Sequence, residues 1–170
     1  DLTITAAGTI DTGTIAVAGN LTSTDTNVYG TAGITLDGTG SQTITTGATN
    51  DYLPNGTFTI NKSSGAATLA AALLVNDTGQ DLTITAGTLD LAGYNLTVKD
   101  VLTVSASGIL QVQGGEKITA TTKTLSLGST VIFTGDGDSL ADTFDTATTT
   151  LFTSYQNLNA SSTDAADVFR

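Results

Sequence analysis

The sequence contains no cysteine and no histidine. The first absence rules out disulfides and thiolate metal sites, and the second removes the common zinc and non-haem iron ligand sets. Tryptophan is missing as well and aromatics reach only 5%. A core must therefore be assembled from Leu, Ile, Val and Ala, without the large rings on which a β-sandwich of this size usually leans. Charged residues are 12%, about half the usual share for a globular domain. Basic residues are scarcest: four Lys and one Arg stand against fifteen Asp and one Glu, a formal net charge of −11. That balance repels phosphates and anionic membrane surfaces, so nucleic acid and membrane insertion are not expected. No apolar run reaches 18 residues and no signal-peptide pattern stands at the start. If the protein is exported, the chain is expected to be a mature form or a fragment.

What is abundant points one way. Thr and Ser make up roughly three residues in ten and Gly contributes 19 more. Thr is stiff at χ1 and suits pleated backbone, whereas Gly and Asn suit tight corners. Apolar pairs spaced by one residue recur along the chain, among them Ile15/Val17, Ile34/Leu36, Phe58/Ile60, Leu82/Ile84, Leu102/Val104 and Leu110/Val112. Each reads as a short strand with one buried face. Between residues 82 and 134, the most regular stretch, strands start about every seven residues, at 82, 89, 96, 102, 110, 118, 125 and 131. Sandwich hairpins need 8–12 residues per strand. Three strands of this spacing instead make one coil of about 21 residues in a parallel β-helix, stacking 82 near 102, 89 near 110, 96 near 118 and 102 near 125. The expected fold is all-β: one β-solenoid domain over 1–170, a single-stranded parallel β-helix of about eight coils and about 40 Å. The 47–81 and 135–170 stretches, less regular, are expected to be looser coils with loops. An antiparallel β-sandwich is the alternative, and would bring Phe58, Tyr94 and Phe133 into one core.

A longer repeat overlies the short one. Leu2-Thr3-Ile4-Thr5-Ala6 recurs as Leu82-Thr83-Ile84-Thr85-Ala86, and Asn20-Leu21-Thr22 as Asn95-Leu96-Thr97. Internal duplication of this kind is what a solenoid requires. The segments Gly38-Thr39-Gly40-Ser41-Gln42-Thr43-Ile44, Thr59-Ile60-Asn61-Lys62-Ser63-Ser64-Gly65 and Ala86-Gly87-Thr88-Leu89-Asp90-Leu91-Ala92-Gly93-Tyr94-Asn95-Leu96-Thr97-Val98 resemble the repeats of large bacterial surface proteins of the filamentous-haemagglutinin and autotransporter-passenger type. The resemblance covers most of 34–134. It implies a right-handed parallel β-helix projecting from a cell surface, with adhesion, aggregation or display as its role, and it carries over no site residue.

Candidate sites are few. Asp136, Asp138, Asp142 and Asp145 alternate around Gly135 and Gly137, and hard oxygen ligands at i and i+2 of a Gly turn suit Ca²⁺. The third carboxylate at i+4 and the bidentate Glu of a full calcium loop are missing, so a solvated acidic loop is the simpler reading and no other cofactor is expected. Polysaccharide lyases and hydrolases also use β-helices, but Lys62, Lys99, Lys117 and Lys123 are scattered along the sequence without acidic clusters beside them, and no catalytic residue is assigned. Six Asn-x-Ser/Thr sequons, at Asn20, Asn55, Asn61, Asn76, Asn95 and Asn159, allow glycosylation, although Asn at a corner before a Thr strand explains them equally well. Thr and Asn ladders could present a flat face to glycans or ice.

Neither chain end resembles a capping helix, and both stop in mid-pattern, as a piece of a longer protein or a stacking, polymerising unit would. The functional expectation is thus an extracellular structural or adhesive module, a stalk segment or filament subunit, with copies of itself, neighbouring repeats or surface glycans as partners. A carbohydrate-binding module on a solenoid face is the alternative, and a polysaccharide-active enzyme a weaker one.

Overall fold

The computed structural model describes residues 1–6, 8–140, 143–144, 151–162 and 165–169. Its described residues form eighteen short strands and no helix, and all the strand pairings among them are parallel. That is the all-β parallel solenoid, and it excludes the antiparallel sandwich. The three aromatic residues that a sandwich would gather stay apart. Phe58 and Phe133 are buried in the walls of different faces, and Tyr94 is exposed.

The chain passes three faces in rotation. The first carries the column Ile15, Ile34, Phe58, Leu82, Leu102 and Lys123, with Val17, Leu36, Ile60, Ile84, Val104 and Leu125 two residues on. Period-2 alternation turns both columns inward, and the residues of their middle rungs are at most 2% exposed. The second face stacks Ala67, Leu89, Leu110, Val131 and Leu158. A third ladder joins Leu73–Val75, Leu96–Val98 and Ile118–Thr119. Their buried apolar side chains merge into one core running from Val17 to Phe152, which Leu158, exposed at the end of its column, does not join.

Six rungs on the first face give a solenoid of about six turns, against the expected eight. The longest ladder, on the second face, nevertheless has eight successive strands, from Leu2–Ile4 to Asn157–Ala160. The expected stackings of 82 on 102, 89 on 110 and 96 on 118 are observed. The fourth is corrected: Leu102 faces Lys123, and Leu125 lies against Val104. A slip of two residues preserves which side chains point inward, so the hydrophobic pattern cannot distinguish the two registers.

Three strands, Phe58–Leu69, Leu82–Asp90 and Val101–Val112, run through a corner to serve two faces. The bend needs glycine where coils touch. Gly87 has φ +77°, and a Cβ placed there would lie 2.7 Å from the Lys62 Cβ and 2.8 Å from the Lys62 carbonyl oxygen. Within 47–81, residues 47–57 form a loop ahead of the Phe58–Leu69 strand, and Pro54 lies in that loop, where no ladder hydrogen bond is lost.

Candidate functional site

Corners interrupt the ladder, so their backbone groups need other partners. Buried polar side chains supply them. The Lys62 side chain, 2% exposed, sends its Nζ to the Gly38 carbonyl at 2.6 Å, the Gly40 carbonyl at 2.9 Å and Gln42 Oε1 at 2.5 Å. Gln42 takes the Gly38 N–H at 3.0 Å and donates onward to the Val17 and Gly19 carbonyls. One network therefore ties three successive coils. Desolvation lowers the Lys62 pKa below its ordinary value, an effect partly offset by the Asp37 carboxylate. Glu116, the single Glu, is also buried, and its carboxylate accepts the N–H groups of Gly93, Gln113 and Gly114 at 3.1, 2.7 and 2.7 Å. Gln80 likewise bridges the Pro54 carbonyl and the Asp77 N–H. Sequence reasoning missed these residues. A signal was present for Lys62, which continues the inward parity of Phe58 and Ile60, and for Gln42, which shares the parity of Ile44.

The acidic loop is local in its chemistry. Asp136 accepts the Asp138 N–H at 3.1 Å, Asp138 accepts the Leu140 N–H at 2.7 Å, and both side chains are exposed. Each carboxylate closes its own turn. Asp142 and Asp145 lie outside the described residues. Among the described residues, no three acidic side chains are grouped to hold a metal ion.

Of the sequon residues, Asn20, Asn61, Asn95 and Asn159 are exposed, and Asn55 and Asn76 are half-buried. Two of them serve the corners. Asn20 Oδ1 accepts the Thr43 N–H at 2.8 Å, and Asn95 Oδ1 the Lys117 N–H at 2.7 Å, each linking one coil to the next. On the outer side of the first face, Thr35, Thr59, Thr83, Thr103 and Thr124 stand in one continuous column. Its neighbouring column includes Asp81 and Val101, so the threonine array is one residue wide.

Two of the surface clefts are lined by described residues. One of about 280 Å³ lies at the C-terminal end of the first face, lined by Lys123, Leu125, Leu151, Phe152, Thr153 and Ser154. Here Phe152 and Tyr155 cover the last rung, meeting edge to face at 5.9 Å, and Lys123 Nζ stands 5.9 Å from the Phe152 ring. The other, of about 370 Å³, occupies a gap in the third face. The Gly8–Thr9 and Val28–Tyr29 strands pair with each other, the ladder resumes only at Leu73–Val75, and between them residues 47–57 form no strand. The cleft is lined by Thr26, Tyr29, Asn50, Asp51, Asn76 and Asp77 among others. Asp51 is fixed by the N–H groups of Leu53 at 2.9 Å and Asn76 at 3.1 Å.

Burial raises the Asp51 pKa, with Asp77 adding to the effect; at Asp90, burial again leads and Glu116 contributes. A carboxylate whose folded pKa is raised binds more protons folded than unfolded. It stabilises most below its unfolded value near 3.8, and that contribution is lost as pH rises through the folded value. The melting temperature should therefore rise on acidification from neutral pH toward 4. Asp51→Asn combined with Asp90→Asn should flatten that rise, as thermal unfolding monitored by circular dichroism would reveal. An unchanged slope in the double variant would contradict the assignment.

No family model, curated protein or solved structure matches the chain. Its class rests on the fold itself, a parallel β-solenoid with stapled corners.

Proposed function

We propose that the chain is a structural or adhesive module of an extracellular surface, either a stalk segment of a long adhesin or the repeating subunit of a fibre. The observation that carries this reading is the eight-strand parallel ladder, whose two terminal strands, Leu2–Ile4 and Asn157–Ala160, each pair on one side only among the described residues. An unpaired strand edge is a template for another strand, from a neighbouring coil or a second copy. The partners in this reading are therefore further coils of the same kind, with surface glycans as the adhesive target. We read the winding as right-handed on the strength of the sequence resemblance, and the coils as eight, one for each strand of the longest ladder.

Negative-stain electron microscopy across a concentration series, with and without calcium, tests this. Uniform fibres, or discrete rods that lengthen with concentration, are expected for a stacking subunit, and short rods of fixed length for a stalk segment. A calcium requirement for fibres would give Asp136 and Asp138 a role. Compact particles at every concentration would overturn the reading.

A further inference from the structure

We propose that the cleft in the interrupted third face binds a neutral saccharide, one sugar ring or a short oligosaccharide, with Tyr29 as its stacking platform. The cleft exists because residues 47–57 fail to supply the third-face strand that would join Val28–Tyr29 to Leu73–Val75. Its volume of about 370 Å³ falls within the range of small-ligand sites.

The lining selects the ligand class. Tyr29 is 53% exposed in a chain with few aromatics, and its hydroxyl donates to Asn27 Oδ1 at 3.3 Å, which holds the ring at the lip. An aromatic face of this kind takes the C–H face of a sugar ring. Asn50, Asn76, Asp51 and Asp77 offer amide donors and carboxylate acceptors for vicinal hydroxyls, and the side chains of Asn76 and Asp77 have no hydrogen-bond partner among the described residues. Asp51 is held in place by two backbone N–H groups, so the acceptor is preorganised. Anionic ligands are repelled by Asp51 and Asp77, and no Lys or Arg lines the cleft. A tightly held cation lacks a third carboxylate. An apolar ligand would find Val28 as the only aliphatic residue in the lining. What remains is an uncharged molecule rich in hydroxyls. The inference rests on the adhesive reading only for where such a ligand would be met.

The test is a titration of isotopically labelled protein with cellobiose, maltose, lactose and N,N′-diacetylchitobiose, each at millimolar concentrations, followed by amide and side-chain NH₂ shifts. Saturable shifts with at least one of these sugars are expected at Tyr29, Asn50, Asn76 and Asp77. Affinity should fall about tenfold or more in Tyr29→Ala and be unchanged in Tyr94→Ala, another exposed tyrosine outside the cleft. No saturable shift with any sugar, shifts that survive Tyr29→Ala, or the same shifts produced by calcium chloride and by none of the sugars would each overturn the proposal. Sugar binding and fibre formation are read separately, so either can fail alone.

Discussion

Gly87→Ala should be among the most damaging single substitutions in the protein, lowering stability by about 3 kcal/mol. Two independent costs add. An L-residue at φ +77° sits in left-handed backbone, which costs roughly 1–2 kcal/mol. The new Cβ would also lie 2.7 Å from the Lys62 Cβ and 2.8 Å from the Lys62 carbonyl oxygen, atoms close to the main chain that cannot swing away. Overpacking of this kind costs about 1–3 kcal/mol. Gly79→Ala is the matched control, because Gly79 has φ +90° but nothing within 4 Å of its would-be Cβ. It should show only the first cost. Chemical denaturation of the two variants side by side measures the difference, and equal losses would show that the coils do not touch at the Gly87 corner.

Lys62→Met should cost about as much. Burying an ammonium is expensive, and the arrangement is tolerable only because three acceptors surround it at 2.5–2.9 Å. Methionine fills a similar volume and restores apolar burial, but it leaves the buried Gly38 carbonyl and Gln42 Oε1, and the part-buried Gly40 carbonyl, without that donor. Each orphaned buried acceptor costs about 1–3 kcal/mol, so a loss near 3 kcal/mol is expected after the packing gain. For a chain of this size that corresponds to a melting temperature lower by roughly 6–12 °C. Lys99→Met, at an exposed position, should stay within about 0.5 kcal/mol. A neutral Lys62→Met would mean that the Lys62–Gln42 network does not hold the three coils together.

The same corner marks where the sequence was legible and where it was not. Strand positions and inward parity follow from local alternation, which is why the columns through Leu82, Leu102 and Leu110 could be read directly. Register is a relation between coils. A two-residue slip keeps every side chain on its own side, so Lys123 rather than Leu125 came to face Leu102. The longer repeat misleads in a related way: Leu2–Ile4 belongs to the second-face ladder, whereas its near-identical counterpart Leu82–Ile84 stands on the first face. A strand plus a corner is chemically equivalent on any face, so similar sequences need not occupy similar places. The burial of Lys62 and Glu116 was hidden: the lysines look scattered along the sequence, and Glu116 enters the composition only as the single Glu. The third-face cleft was illegible for a different reason. It arises from a strand that fails to form at 47–57, beside side chains that belong to the coils before and after it.

The most direct test of the account is a methyl-selective nuclear Overhauser experiment on threonine-labelled protein. The parallel in-register stack places the methyl groups of Thr35, Thr59, Thr83, Thr103 and Thr124 one above the next, about 5 Å apart. An unbroken chain of contacts Thr35 to Thr59 to Thr83 to Thr103 to Thr124 is the predicted result. Contacts instead between threonines joined by antiparallel hairpins, with none across these four pairs, would contradict the solenoid itself.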